Sequence, residues 1–502
     1  MPFLRFYSLP GSRFRGLRFA PAFFALALLS GCHDHKLYDA QRAYRVGNLG
    51  AAERHIRDYA RHNRDTHNTL LAQLEKGHIA RAAGDLDASD DAFADAAETL
   101  RAIDRSPDVS LSRETLAAFT NLGTLPYRGA GYDRIMLPTL RALNALERGD
   151  PETARPLLRR AYERQREAVE ANAERLEQAR AAAAESSRGA SGGRYDAARA
   201  QRDPRFRAAL SRQYEHLDEL RVYAPYVNPF VEWMQGVFFS AEAADGNDLE
   251  WACRSFARAA ALAPGNRYAA EDAAAAEAVA AGSRQEPMTY VVFATGVAPS
   301  RGEVRIDIPL FIFGGNVDYV GANFPRLIYH PNYLRDLTAR DSAGESYRTE
   351  LLADMDAVVS TEFDNELPTV ITKTLIAAGT KAAAAYGLRE AVRGQDESVV
   401  AAVRIATLLY QYAANQADLR AWATLPKQFH IVRLPTPPDG KIDLSAPAQP
   451  TATVTLDARQ TNVVFVRSIN PYSPWRVSQF SLGPATSLSA NPRPESPPEP
   501  KP

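Results

Sequence analysis

The chain has 502 residues, of which 59 are basic and 60 acidic, and 45% of its side chains are hydrophobic. This near-neutral balance excludes the strongly basic surface with which nucleic-acid-binding proteins neutralise phosphates, so we expect no nucleic-acid partner. The length exceeds what one hydrophobic core normally supports, and we therefore expect two or three domains.

The first 31 residues have the composition of a secretory signal. Residues 1–18 contain four arginines and no acidic residue, residues 19–30 form an apolar run, and the run ends at Gly31 before Cys32. A run this short predicts a cleaved signal peptide rather than a transmembrane helix. The four residues that end at Cys32, LSGC, also resemble the lipobox of bacterial lipoproteins, in which the cysteine is acylated and becomes the mature N-terminus.

The predicted lipid on Cys32 determines the expected location. Three acyl chains, typical of such lipoproteins, would hold the protein at a bilayer without crossing it. In lipoproteins of Gram-negative bacteria, an aspartate after the cysteine favours the inner membrane, whereas this chain has His33 there. The resemblance therefore implies the periplasmic face of the outer membrane, with an inner-membrane lipoprotein as the alternative.

Cleavage before Cys32 leaves 55 basic and 60 acidic residues in the mature chain, a net charge of about minus five. Cys253 is then the only other cysteine, so we expect no intramolecular disulfide and no cofactor besides the covalent lipid. The next most apolar run, residues 399–410, is interrupted by Arg404 and predicts a buried helix.

Residues 38–281 are rich in Ala, Leu, Arg and Glu, with apolar side chains at helical spacing. Three Gly-Asn or Gly-Asp pairs, beginning at Gly47, Gly84 and Gly149, interrupt this pattern. Glycine favours the left-handed turn after a helix, and the Asn or Asp that follows caps the next one. The first two pairs lie 37 residues apart, close to the 34-residue tetratricopeptide period.

The register of small and aromatic residues points the same way. Small residues let two helices approach closely, and an aromatic ring fills the space between them. The residues that match this pattern are Gly77, Gly84, Ser89, Phe93 and Ala96 in one unit, and Gly236, Phe239, Ala252, Phe256, Ala259 and Pro264 in another. We therefore predict an all-α, tetratricopeptide-like repeat region over residues 32–285, with ordinary helical hairpins as the alternative.

Residues 157–184 extend one of these helices with charges nearly all round it, and a Ser/Gly-rich break follows at residues 185–194. Such a pattern is typical of a solvated helix and a flexible loop. The alternative is a projecting arm that contacts a partner.

From residue 288 the pattern changes to short runs of β-forming residues, with helical patterns between the early and the late runs. The predicted strands are residues 289–294, 303–310, 326–330, 429–434, 452–456 and 462–468, and the predicted helices are 367–393 and 398–417. This order predicts a smaller α+β domain over residues 286–483. Proline-rich residues 484–502 predict a disordered tail.

Several segments together resemble a family of uncharacterised proteobacterial lipoproteins with a tetratricopeptide-like N-terminal region. The segments are Tyr127-Arg128-Gly129, Tyr132-Asp133-Arg134, Tyr226-Val227-Asn228-Pro229-Phe230, Arg305-Ile306-Asp307-Ile308-Pro309, Asp354-Met355-Asp356, Thr361-Glu362-Phe363, Leu367-Pro368, Trp422 and Leu425-Pro426. The resemblance implies a shared architecture and carries no activity.

The sequence lacks the phosphate-binding loop, zinc-helix and serine-elbow motifs of common enzymes. Cys253 lies on a predicted packed helix, which indicates an inert thiol. His33 and His35 are close enough in sequence to bind a metal weakly, or are simply solvated.

An acidic series is the strongest candidate for chemistry: Asp354, Asp356, Glu362, Asp364 and Glu366. Clustered carboxylates bind Ca²⁺ or Mg²⁺ or act in acid–base catalysis. The alternative is structural, with Asp364 or Glu366 capping a helix that begins at Pro368 and Glu362 pairing with Lys373.

Two clusters of polar and aromatic residues are candidates for binding a partner, because Tyr and Arg are enriched at protein interfaces. The candidates are Tyr127, Arg128, Tyr132, Arg134, Tyr226, Asn228 and Phe230. Packed turns between repeats are the alternative interpretation.

These observations favour a lipid-anchored, non-enzymatic scaffold that binds an envelope protein or peptide through its repeats. By analogy with other repeat-containing lipoproteins, cell-envelope assembly or regulation of peptidoglycan synthases is a plausible role. The alternative is a metal-binding or enzymatic C-terminal domain that uses Asp354, Asp356 and Glu362. The sequence names neither the partner nor the oligomeric state.

Overall fold

The computed structural model describes residues 35–106, 125–188, 196–220, 222–223, 226–283, 286–311, 317–391 and 417–483. Several predictions lie outside these residues: the signal peptide, Cys32 and His33, most of the break at 185–194, the helix at 398–416 and the tail at 484–502. Among the described residues, no helix is long and apolar enough to cross a bilayer.

A mostly helical half, residues 35–283, precedes a sheet-containing half, residues 286–483, and this order confirms the predicted one. The helices of the first half are α1 (35–45), α2 (Leu49–His62), α3 (Thr69–Ala83), α4 (Leu86–Arg105), α5 (Gly131–Glu147), α6 (Pro151–Arg188), α7 (Ala197–Gln201), α8 (Pro204–Tyr214), α9 (Pro229–Ala241), α10 (Gly246–Leu262) and α11 (Arg267–Ala280). A 3₁₀ turn, Glu215–Leu220, follows α8.

The turns between α1 and α2, α3 and α4, and α5 and α6 have the predicted conformation. Gly47, Gly84 and Gly149 have φ of +79°, +94° and +74°, which glycine adopts without strain. In each turn the next side chain accepts a hydrogen bond from the backbone N–H three residues later, at 3.0 Å. These contacts satisfy amides that the new helix leaves without partners.

Two helix pairs share the predicted contact between a glycine and a phenylalanine. A Cβ on Gly77 of α3 would overlap the ring of Phe93 on α4. Likewise, a Cβ on Gly236 of α9 would lie 2.6 Å from Cδ1 of Phe256 on α10. Each pair of helices therefore approaches closely only because the first carries no side chain at this point.

The sheet-containing half has eleven described strands and one long helix. They are β1 (Met288–Thr295), β2 (Ser300–Phe311), β3 (Val317–Ile328), β4 (Thr338–Asp341), β5 (Ser346–Arg348), β6 (Glu350–Asp354), α12 (Met355–Ala391), β7 (Gln428–Pro435), β8 (Lys441–Ser445), β9 (Ala452–Thr455), β10 (Thr461–Ser468) and β11 (Arg476–Leu482).

The main sheet has the order β11-β10-β1-β7-β6, in which β1 and β10 are parallel and every other pair is antiparallel. Every residue of β10, and of β1 after Met288, is buried, so both faces of the central strands are covered. Strands β2 and β3 form a hairpin, and β5-β4-β8-β9 form a smaller sheet.

The prediction for this half was wrong in several details. Strand β3 begins nine residues before the predicted strand at 326–330 and ends two residues before that strand's end, and β4, β5, β6, β8 and β11 were missed. In β8 only alternate residues, Ile442 and Leu444, are buried, so the strand contains no apolar run to recognise.

Helix α12 begins at Met355 rather than at Leu367, and Pro368 lies inside it. Asp364 and Glu366 therefore do not cap a helix that starts at Pro368. The side chain of Asp354 instead accepts a hydrogen bond from the amide of Asp356 at 2.8 Å, at the observed start.

Candidate functional site at the junction of the two halves

Residues 417–427, here called the connecting segment, lead into β7 without regular structure and lie across α1 and α3. The Glu75 carboxylate on α3 accepts hydrogen bonds from the amide of Ala423, at 2.9 Å, and from the Thr424 hydroxyl. Gln41 of α1 donates to the carbonyl of Ala421 at 3.4 Å and to Glu75 at 2.7 Å. Side chains of the helical half thus hold main-chain groups of a segment that turns at Ala423 and Thr424.

Trp422 lies between these polar contacts and packs on the α3–α4 hairpin. Its ring centroid is 5.8 Å from that of Phe93 and 6.0 Å from that of His78, both in edge-on geometry. Trp422, His78 and Phe93 are buried. The buried Trp422 ring packs on Phe93, the ring that also lies against Gly77. This contact attaches the connecting segment to the α3–α4 hairpin.

Burial changes the pKa values of the titratable groups on α3. With Glu75 enclosed and bound only by uncharged donors, desolvation raises the pKa of its carboxyl group from 4.5 to about 7. Desolvation also lowers the pKa of His78 well below its ordinary value, so the imidazole is neutral. Burial is the largest cause of both shifts, and for His78 the nearby Arg467 and Arg81 act in the same direction.

Arg420 holds the start of the connecting segment. Its guanidinium donates to the side chain of Asn68 at 3.0 Å and to the carbonyl of Leu125 at 2.7 Å, and it pairs with Asp418 at 2.7 Å. The same group lies over the ring of Tyr127, 5.5 Å from its centroid. Tyr127, a predicted partner-binding residue, is therefore an internal contact.

Glu362 of α12 lies at the N-terminus of α5. It thereby connects the acidic series to the partner-binding candidates, because Tyr132 is one of the residues that it contacts. Its carboxylate accepts hydrogen bonds from the amides of Gly131 and, at 2.8 Å, Tyr132. An acidic group is favoured there by the free amides and the helix dipole. A Cβ on Gly131 would lie 2.7 Å from the ring of Tyr226 and 3.0 Å from the Glu362 oxygens, so only glycine fits.

Two buried acids, Glu362 and Asp133, and the partly buried Glu366 lie at this position. The pKa of Glu362 is raised to about 8 by burial and by the nearby Glu366. Burial raises the pKa of Asp133 to about 6, although its carboxylate accepts hydrogen bonds from the Tyr127 hydroxyl and the Ala130 amide. The Arg301 guanidinium, 3.7 Å from Glu366, supplies positive charge to the cluster.

Asp354 and Asp356 connect the start of α12 to the end of the connecting segment. Asp356 forms a buried ion pair with Lys427, and Asp354 accepts a hydrogen bond from Gln428 at 2.8 Å. Thus Asp354 and Asp356 contact the adjacent residues Gln428 and Lys427, whereas Glu362 contacts the N-terminus of α5. Within the described ranges, no group of three His, Cys, Asp or Glu residues has an arrangement that would hold a metal ion.

The other predicted partner-binding residues also face the interior or a neighbouring helix. Tyr132, Tyr226, Asn228 and Phe230 are buried, and the Phe230 ring stacks on that of Phe429, with centroids 4.0 Å apart. Of the two interpretations of these aromatic clusters, the packed one describes their positions in this structure.

The remaining residues singled out in the sequence have ordinary contacts. Arg134 pairs with Asp104 at 2.7 Å and donates to the carbonyl of Arg128. The thiol of Cys253 is half-buried on α10 and donates to the carbonyl of Ala276 at 3.1 Å, and burial raises its pKa. A raised pKa disfavours the reactive thiolate.

A second polar contact joins the helical half to the main sheet. Asp272 of α11 accepts hydrogen bonds from Trp233 of α9, at 2.8 Å, and from Tyr290 of β1, at 3.1 Å. Arg433 of β7 lies 2.8 Å from the same carboxylate. Burial raises the pKa of Asp272 to about 7.

No family model, curated protein or solved structure matches the chain. The site therefore has to be interpreted from its own geometry. Its described side chains mostly bind other parts of the same chain, and the most extensive set binds the main chain of the connecting segment.

Sequence reasoning missed the connecting segment as a site. In the sequence, Trp422 and Leu425-Pro426 belong only to the family resemblance, and Gln41 and Glu75 belong to no motif. The available signal was a pair of polar residues, Gln41 and Glu75, on otherwise apolar helix faces.

Proposed function

We propose that the protein is a lipid-anchored, non-enzymatic scaffold of the cell envelope that binds a protein or peptide partner through its helical half. The proposal places it on the periplasmic face of the outer membrane, attached by a lipid on Cys32, and includes it among the proteobacterial lipoproteins that it resembles. It also treats the hairpins α3–α4 and α9–α10 as tetratricopeptide-like repeats, which the shared glycine–phenylalanine contacts support.

The observation that carries the proposal is how α1 and α3 hold the connecting segment. Gln41 and Glu75 contact a carbonyl and an amide of the segment, and the hairpin accommodates the Trp422 ring. A helical surface can hold a peptide by this combination of main-chain contacts and a side-chain pocket, and stacked helical repeats provide such surfaces. In this chain the surface on α3 is occupied by the chain itself, so an external partner needs another surface.

We assign that surface to the outer part of α6, residues 169–188. Helix α6 buries Ala154, Leu158 and Ala161, whereas none of its described side chains after Ala168 is buried. At about 1.5 Å per residue, this outer part is about 30 Å long and presents both Glu and Arg. It corresponds to the projecting arm that the sequence offers as an alternative.

The test uses the tagged full-length protein, crosslinked in intact cells and recovered from envelopes. We expect the mature N-terminal peptide to carry lipid on Cys32, and one envelope protein to be enriched over a Cys32→Ala control. Reversing two charges on the outer part of α6, by Glu170→Arg and Glu174→Arg, should remove that protein from the crosslinked sample.

The matched control is Glu250→Arg, which reverses an exposed charge on α10. If the recovered proteins are the same for the wild type, the α6 variant and Cys32→Ala, the scaffold proposal is wrong. An unmodified Cys32 in the mature protein would contradict the lipid anchor independently of any partner.

A further inference from the structure

Two exposed apolar side chains belong to turns that pack on each other at the end of α1. Among the described large apolar residues, Tyr472 and Val46 are the most exposed, at 88% and 67%. Asn470 donates to the carbonyl of Arg45 at 2.9 Å, and a Cβ on Gly47 would overlap the side chain of Ser473. The turn that carries Tyr472 therefore packs directly on the end of α1 that carries Val46.

Helix α1 adds to this exposed surface. Tyr38 is 55% exposed, and Tyr38, Arg42 and Val46 follow each other at intervals of four residues, which places them along one side of the helix. The Arg45 guanidinium lies 5.9 Å from the centroid of the Tyr38 ring. The opposite side of α1 packs into the core through Leu37, Ala40 and Tyr44.

The composition of this face is that of a surface at the boundary between water and lipid. Tyrosine combines an apolar ring with a polar hydroxyl, and arginine extends a long apolar stem beneath a charged group. Interfacial helices carry such residues where they contact phospholipid headgroups. One acid, Asp39, is exposed beside them.

The position of Cys32 indicates that phospholipid is what contacts this exposed face. Residue 35, the first residue of α1, is the third residue after Cys32. Three extended residues span at most about 11 Å. This step rests on the proposed function, because a lipid on Cys32 would hold this end of α1 within that distance of the bilayer.

We propose that Tyr38, Arg42, Val46 and Tyr472, called here the tether face, dock on the phospholipid surface. Helix α1 then lies along the bilayer, with the two tyrosines at headgroup level and Arg42 near the phosphates. The lipid on Cys32 supplies attachment, and the tether face sets the orientation of the rest of the protein.

A weak contact is sufficient for this purpose. Once the chain is tethered, docking is an intramolecular step, for which a flexible linkage of a few residues gives an effective concentration in the millimolar range. Four side chains that bind free vesicles poorly therefore still determine which face meets the membrane.

The test is a depth measurement on the full-length lipidated protein in vesicles of phosphatidylethanolamine and phosphatidylglycerol. With Cys32 acylated, Cys253→Ser leaves no free thiol, so Tyr472→Cys creates a single site for a nitroxide label. The comparison site is Val222→Cys, since Val222 is 65% exposed and lies outside the tether face.

We expect the label at position 472 to be severalfold less accessible to a water-soluble nickel chelate than the label at position 222, and more accessible to oxygen. Adding Tyr38→Ser and Val46→Ser should raise the nickel accessibility at position 472 towards that at position 222. Leu351→Ser, a change at a side chain 40% exposed on β6, should leave it unchanged.

Equal nickel accessibility at positions 472 and 222, with lipid detected on Cys32 by mass spectrometry, would overturn the inference while leaving the lipid anchor intact. An unmodified Cys32 would instead overturn the proposed anchor, and the inference with it. Immobilisation of the label at position 472 that depends on protein concentration in detergent would assign the tether face to a second copy of the chain, which also contradicts docking on lipid.

Discussion

The hairpins α3–α4 and α9–α10 are built in the same way and attached to the rest of the molecule in different ways. In both, a glycine on the first helix meets a phenylalanine on the second. Hairpin α3–α4 holds the connecting segment through Glu75 and Trp422. Hairpin α9–α10 is attached through the stacked rings of Phe230 and Phe429 and through the contact of Trp233 with Asp272.

This difference shows that packing within a hairpin and attachment to the sheet are separate properties. The glycine–phenylalanine contact needs only two residues at the right spacing, so both hairpins have it. Attachment depends on which residues of the sheet-containing half contact each hairpin, and these residues differ between the two hairpins.

The largest expected effect tests whether the two phenylalanines are equivalent. Both Phe93 and Phe256 are buried, and truncation of such a side chain to alanine costs about 3–5 kcal/mol because a cavity remains. We expect Phe93→Ala to reach the upper part of that range, because Trp422 also packs on this ring, and Phe256→Ala the lower part. Denaturant midpoints with unchanged slopes would measure both. A greater loss of stability for Phe256→Ala than for Phe93→Ala would contradict this expectation.

The second test adds a methyl group instead of removing a ring. Gly77→Ala and Gly236→Ala force a Cβ against Phe93 and Phe256, and such overpacking costs about 1–3 kcal/mol. Combining Gly77→Ala with Phe93→Leu should recover part of the loss, since the smaller side chain makes room. Thermal unfolding of the single and double variants provides the cycle, and strictly additive losses would show that the two residues do not act as a pair.

The third test concerns pH. Because the pKa of Glu75 is about 7 in the folded protein and ordinarily 4.5, the folded state binds a proton that the unfolded state has lost between these values. The contribution of Glu75 to stability therefore falls as pH rises from about 4.5 to about 7. Tyr44, Arg45 and Asp133 are its charged or titratable neighbours on other parts of the helical half.

Glu75→Gln should remove this pH dependence. Below pH 4.5 the variant and the wild type should differ by about 1 kcal/mol or less, the net value of a changed hydrogen bond. Above pH 7 the variant should gain relative to the wild type. Chemical denaturation at several pH values would measure the difference, and parallel stability curves for the two proteins would contradict the buried-carboxylate interpretation.

The smallest expected effect is on the open side of α10. Arg254 and Glu250 form an ion pair at 2.7 Å in which both side chains are mostly exposed. Exposed pairs of this kind contribute about 0.5 kcal/mol or less. We expect Arg254→Ala to shift the denaturation midpoint by no more than that, and a larger shift would indicate that this side of the hairpin is covered.

The sequence predicted features that depend on neighbours in the chain. The turns at Gly47, Gly84 and Gly149 are confirmed, and small and aromatic residues singled out in the sequence meet as Gly77 with Phe93 and Gly236 with Phe256. Short strands such as β8 were missed because two alternating apolar residues, Ile442 and Leu444, are too few to distinguish a strand from a loop.

The acidic residues show the limit of this reasoning. Glu362 was recognised as a candidate for chemistry, but its partner, the amide of Gly131, lies 231 residues earlier in the chain. Glu75 was not noticed at all, since a glutamate on a helix is ordinarily exposed. In both cases the decisive fact is a contact over hundreds of residues.

What the sequence determined by itself is the order of helical and sheet-containing halves, the turns that separate the helix pairs, and the residues that let each pair approach. These follow from backbone conformation and side-chain size over a few turns of helix. Three contacts follow from the tertiary structure alone. The connecting segment lies on α3, Glu362 contacts α5, and the turn that carries Tyr472 packs on the end of α1. Burial, pKa and exposure depend on which distant parts of the chain exclude water from one another, and no local pattern encodes that.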